Sequence, residues 1–227
     1  MFLGHFAVGF AAKRAAPRAS LGTLMMAPLL PDLLWPIFLL VGLERVRIDP
    51  GNTAFTPLDF ASYPYTHSLL ATLIWAGLFA ALYRARSGYD RGAILIAAGV
   101  VSHWVLDAVS HRPDLPLVPG GALRLGLGLW NSVTATLVVE IAMFATGIWL
   151  YVGTTRARNR QGRLALAGVV LVLGGIYVGN LAGPPPPSET ALALVALGAW
   201  LFVPWFYWID RNRVASGTGS APTRGEA

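Results

Sequence analysis

Long apolar runs, separated by short basic or proline-rich stretches, organise the chain from end to end. A helix needs about 20 apolar residues to cross ~30 Å of hydrocarbon. By that measure six runs predict spans: 21–43, from about 69 to Tyr83, 92–110, 132–152, from after Arg163 to Leu181, and 190–209. Residues Met1 to Ala16 form a shorter apolar run, read as a half-span or interfacial helix with Lys13, Arg14 and Arg18 anchoring its end.

The breaks in the pattern carry the remaining local expectations. The first span contains Pro28, Pro31 and Pro36, with Asp32 at its centre. Proline removes a backbone donor and frees carbonyls in a region without water, so this span is expected to be broken and polar near the midplane. Residues 44–65 read as a loop with the turn signal Asp49-Pro50-Gly51-Asn52, after which Thr66 is expected to cap the next helix, placing His67 in its first turn. Residues 116–128 read as a second loop, with Trp130 interfacial and Asn131 or Ser132 capping a span that buries Glu140. Trp200, Trp205, Tyr207 and Trp208 form an expected aromatic belt, and a small polar tail from 216 to 227 is expected to be disordered. The expected organisation is one transmembrane helical domain, residues 1–215, with its polar site within residues 1–132.

Composition agrees with the pattern. The 227 residues are 55% hydrophobic and only 12% charged, with a mean hydropathy of +0.58. That is the balance of an all-α integral membrane protein and not of a soluble domain. The net charge of +6 sits in clusters at 13–18, 84–91, 156–163 and 211–213, alternating with poorer loops. This follows the positive-inside rule and argues against nucleic acid as a partner; both termini are expected on the cytoplasmic side of a bacterial-type inner membrane. With no cysteine, disulfides, thiolate metal sites and cysteine nucleophiles are excluded.

Within this apolar setting the third span ends in a polar stripe. His103, Asp107 and His111 follow one another at i, i+4 and so share one helix face. A histidine in an apolar segment is often a satisfied core residue, and a His and Asp one turn apart can simply bond each other. Ionisable groups inside a membrane are costly, however, and usually face a functional interior. At 1.5 Å per residue Asp32 and His103 lie level with each other, roughly 16 Å from the cytoplasmic face. Asp107, His67 and His5 fall within a few turns of that layer. His111 precedes Arg112-Pro113, where the helix should stop, and is read as a substrate contact, a second metal ligand or a helix cap. Glu140 is either a member of the site or a packing residue. Histidine and carboxylate without cysteine is the donor set of Zn, Mn or Fe sites that keep a position open for water.

Gly4-His5, Leu30-Pro31-Asp32, Thr66-His67-Ser68-Leu69 and Ser102-His103 with Asp107, in that order, resemble the bacterial inner-membrane family of membrane-bound metal-dependent hydrolases. The resemblance covers roughly the first 130 residues. It implies that His5, Asp32, His67, His103 and Asp107 form the metal-binding set. The chain departs from the family pattern at Leu33-Leu34-Trp35 and at Tyr63-Pro64-Tyr65, where polar residues are common in the family.

These readings lead to a membrane-embedded hydrolase, using a divalent metal with Zn first and Mn or Fe as alternatives. Its expected substrate is a lipid-linked or amphipathic ester, a phosphoester before others. Asp32, His111 and Glu140 are its candidate catalytic residues, Arg112 and Arg124 its candidates for binding an anionic head group, and membrane lipids its expected partners. A metal-ion or proton transporter using the same site, and a non-catalytic membrane assembly protein, are the alternatives.

Overall fold

The computed structural model describes residues 1–216; the expected tail falls, from 217 onward, outside the described residues. Helix α1 (Phe2–Ala15) is followed by α2 (Leu21–Leu40), an antiparallel hairpin of β1 (Arg45–Ile48) and β2 (Leu58–Ser62), and the short α3 (Pro64–His67). Then come α4 (Leu69–Ser87), α5 (Asp90–Ser110), a two-residue pairing of β3 (Leu115–Pro116) with β4 (Arg124–Leu125), and α6 (Val133–Thr154). Strand β5 (Thr155–Ala157), helices α7 (Arg160–Ala182), α8 (Glu189–Ala196) and α9 (Phe202–Arg211), and β6 (Arg213–Ala215) complete the chain. Among the described residues, six segments are long and apolar enough to cross a membrane: α2, α4, α5, α6, α7 and the combined stretch Glu189–Arg211. The protein is an all-α, multi-pass membrane protein.

Several local expectations change on contact with the structure. Helix α2 runs unbroken through Pro28, Pro31 and Pro36, so the broken span is corrected to a continuous helix with missing internal donors. Its capping is ordinary, the Ser20 side chain accepting from the Thr23 amide. Thr66 is not the cap of the following span. Ser68, in extended conformation, accepts from the Ala71 amide and starts α4, leaving His67 at the end of α3. The last span contains a 3-10 stretch over Leu197–Leu201. Pro204 explains it, because it cannot donate to the Trp200 carbonyl and its ring crowds that position. The chain after this span does not trail away at once: β6 pairs with β5, and the Ser216 amide donates to Thr154 O at 2.7 Å.

The first helix is a core element. Leu3, His5, Phe6, Ala7, Phe10 and Lys13 are buried, and α1 packs against α2, α5 and α6. Gly147 of α6 permits the approach, since a Cβ there would overlap the backbone of Ala7. At the far end of α1, Lys13 Nζ donates to Asp210 at 2.7 Å and to Ala19 O at 2.8 Å. The C-terminal end of α1 is therefore held by a residue of α9 distant in sequence, which helps fix the height of His5 in the bundle.

Candidate metal centre

Four histidines and two aspartates meet where α1, α2, α3 and α5 converge. His103 and Asp107 come from one face of α5, Asp32 from the middle of α2, and His67 from the end of α3. Asp107 Oδ2 lies 3.0 Å from His103 Nε2 and 3.8 Å from His67 Nε2, while Asp32 Oδ1 lies 3.5 Å from His67 Nε2 and 3.9 Å from His103 Nε2. Donors around a tetrahedral metal at about 2.1 Å are separated by roughly 3.4 Å. These four His–Asp separations, 3.0 to 3.9 Å, are close to that value. Two overlapping triads, His5-His103-Asp107 and Asp32-His67-His103, each bring one donor atom per residue within 4.8 Å of the others. A buried His/Asp group able to hold a metal ion is therefore present.

Hydrogen-bond direction says which ring nitrogens face this centre. His103 Nδ1 lies 2.7 Å from Pro28 O, an acceptor only, so it must carry the proton. In a neutral ring Nε2 is then unprotonated, and it has no hydrogen-bond partner among the described residues despite its closeness to Asp107. His111 is the C-cap of α5 rather than a third helical residue on the stripe, its backbone extended at φ −68° and ψ 151°. Its Nδ1 faces Asp114 Oδ1 at 3.0 Å and its Nε2 faces Asp107 Oδ2 at 3.9 Å. Burial holds the His111 imidazole below its ordinary value, so the ring is neutral at pH 7 and turns a second unprotonated Nε2 inward. A nitrogen facing a carboxylate oxygen across such a distance is satisfied by a proton on Nε2 or by a metal ion between the two atoms.

The other predicted residues lie around this set in distinct positions. His5 stacks on His103 with ring centroids 3.9 Å apart, and its Nε2 meets Asp107 Oδ1 at 3.1 Å. The α-ammonium of Met1 shares that oxygen at 2.6 Å. Asp107 therefore presents one oxygen to cationic or donor groups and the other to the imidazole Nε2 atoms. Glu140 is not brought to the centre: its Oε2 accepts from the Leu3 amide at 2.6 Å, capping the first turn of α1. A carboxylate at a helix N-terminus satisfies free amides and meets the positive end of the dipole. Its effect on the site is to seat α1, and with it His5.

Arg112 and Arg124 lie in a separate cleft of about 300 Å³ with Arg47, Asp59, Phe60, Ala61 and Asp114. Arg112 reaches Asp59 Oδ1 at 2.6 Å and Asp114 Oδ2 at 3.2 Å, and Arg124 donates to the Asp114 carbonyl at 2.9 Å. Gly126 is required nearby, because a Cβ would overlap the carbonyls of His111 and Arg112. Asp114 joins cleft to centre, since it also accepts from Tyr63 at 2.8 Å. The departure noted at Tyr63 therefore supplies a phenol to the wall of the site. Sequence reading had no signal for Tyr63, for the Pro28 carbonyl or for the Met1 amine; for Asp114 the spacing of three residues from His111 was the available clue.

Burial pushes the Asp114 carboxyl up, but the hydrogen bonds from His111, Tyr63 and Arg112 outweigh it, leaving the group below the usual carboxylate range. A carboxyl depressed on folding contributes stability above its unfolded value, about 4, and loses it as pH falls through the folded value. Wild type is thus expected to melt above Asp114→Asn at pH 7, with the gap closing below about pH 4. A gap unchanged down to pH 3 in detergent melts would show that the carboxyl is not depressed.

No protein-family model, curated protein or solved structure matches the chain.

Proposed function

We propose that this protein is a membrane-embedded, metal-dependent hydrolase of the kind its motifs resemble, acting on the phosphoester of a lipid-linked or amphipathic substrate. The observation that carries this reading is the convergence of the Nε2 atoms of His67, His103 and His111 on the carboxylates of Asp32 and Asp107. Asp32, His67, His103 and Asp107 would hold a divalent metal, zinc before manganese or iron. A metal in such a setting supplies a bound water ionisable near neutral pH and polarises a phosphoryl oxygen.

The chain's own residues divide the remaining work. Asp32 has a side chain 41% exposed, against 3% for Asp107, so the shell is approachable from the Asp32 side. His111 Nε2 faces the centre as a proton acceptor, steadied from behind by Asp114 and Tyr63. Arg112 and Arg124, with the more exposed Arg47, would bind an anionic head group in their cleft. Hydrolysis adds water to phosphorus and breaks the P–O ester bond, and the proton taken from water leaves with the alcohol. The basic clusters support placement in a bacterial inner membrane with the C-terminus cytoplasmic, whereas the N-terminal ammonium lies inside the bundle against Asp107. The Lys13–Asp210 pair supports this too, putting the end of α1 and the end of α9 on one face.

The test is phosphate or head-group release from phosphomonoester and phosphodiester lipids in vesicles containing the zinc- or manganese-loaded protein. The expected result is chelator-sensitive turnover that His103→Ala abolishes. Absence of turnover across both lipid classes, together with Asp32-dependent metal uptake into the vesicles, would replace the hydrolase with a transporter.

A further inference from the structure

We infer that Glu44, acting through Thr66, is the positioning residue that fixes the proton of His67 on Nδ1 and so turns its Nε2 lone pair to the centre. Glu44 lies in the turn between α2 and β1, a stretch the sequence marks only as loop, yet it is 2% exposed. Its Oε1 accepts the amides of Tyr65 at 2.8 Å and Thr66 at 2.9 Å, the first residues of α3 after Pro64. Its Oε2 accepts the Thr66 hydroxyl at 2.7 Å.

A hydroxyl has one proton to give. Thr66 spends it on Glu44, so the 2.6 Å contact between Thr66 Oγ1 and His67 Nδ1 can be a hydrogen bond only if the imidazole donates. A neutral ring with its proton on Nδ1 has none on Nε2, the atom 3.5 Å from Asp32 Oδ1. His103 reaches the same state by another route, through the Pro28 carbonyl. Carboxylate-backed orientation of this type commonly tunes histidine ligands. Here the carboxylate acts at one remove, through a hydroxyl, and also holds the start of the short helix that carries the histidine.

The inference gains its purpose from the metal reading, but the tautomer exists without metal, so the two can fail separately. The full-length, metal-free protein in detergent, with ¹⁵N-labelled histidine, reports the tautomer of His67, assigned by its loss in His67→Gln. Wild type is expected to show Nδ1–H. In Glu44→Gln the new amide can donate to Thr66 Oγ1 and release the hydroxyl proton toward His67, so the ring should shift to Nε2–H. Zinc affinity by chelator competition should then fall about 10- to 100-fold. Thr66→Val should lose affinity similarly, whereas Thr66→Ser should stay close to wild type; this pair carries the comparison if Glu44→Gln does not fold.

An Nε2–H tautomer in wild type overturns the inference. So does a Thr66→Val protein with wild-type tautomer and zinc affinity. A protein that binds no zinc yet shows Nδ1–H in wild type and the shift in Glu44→Gln upholds the inference and removes the metal reading.

Discussion

Detergent-purified protein, prepared without chelator, is expected to hold about one divalent metal per chain, and an Asp32→Ala/His103→Ala double variant none. His103 is the residue whose loss should matter most. It belongs to both triads, and its Nε2 lies within 3.0 Å of Asp107 Oδ2 and 3.9 Å of Asp32 Oδ1. Removing it with Asp32 leaves His67 and Asp107 as a two-donor remnant, too few to fill a tetrahedral shell. Elemental mass spectrometry on protein shown to be folded is the measurement. Equal metal content in wild type and variant would place the metal elsewhere. No metal in either, after attempted loading with zinc and manganese, would make the cluster a packing or proton-handling network.

Asp107→Ala is expected to be the most destabilising change at the centre, by about 3–5 kcal/mol, even in metal-free protein. Its carboxylate is the counter-charge to the buried Met1 ammonium at 2.6 Å and a partner of His5 at 3.1 Å, with side-chain exposure of 3% or less for all. Deleting it strands an uncompensated buried charge, which costs more than the pair contributes when intact. Asp32→Ala should cost far less, about 1 kcal/mol or under, because its carboxylate is partly exposed and its removal strands no buried cation. Thermal melts of both variants with excess chelator separate this effect from lost metal. If the two melt together, the ammonium–carboxylate pair is not what holds the end of α1 in the bundle.

The hydrophobic pattern by itself determined the six spans, because burial in lipid demands a minimum length of apolar helix whatever packs against it. It also determined that His103 and Asp107 share a face and that α5 ends before Arg112-Pro113, since helix periodicity and the restriction before proline are local properties. The level placement of Asp32 with His103 followed from rise per residue alone, and the two side chains do meet.

Tertiary structure alone decided which neighbours those residues have. Lipid tails and a protein interior are equally apolar, so a membrane helix is greasy on every side and its sequence does not say which side faces protein. Helix α1 was therefore legible as short and apolar but not as the central element that carries His5 to Asp107. Glu140 was legible as a buried carboxylate but not as the cap of α1, because its partner amides lie 137 residues away in the chain. The Pro28 carbonyl and Glu44, which set the protons of His103 and His67, had no signature at all. A backbone acceptor looks the same at every residue, and a glutamate in a loop becomes a site residue only when the fold closes over it.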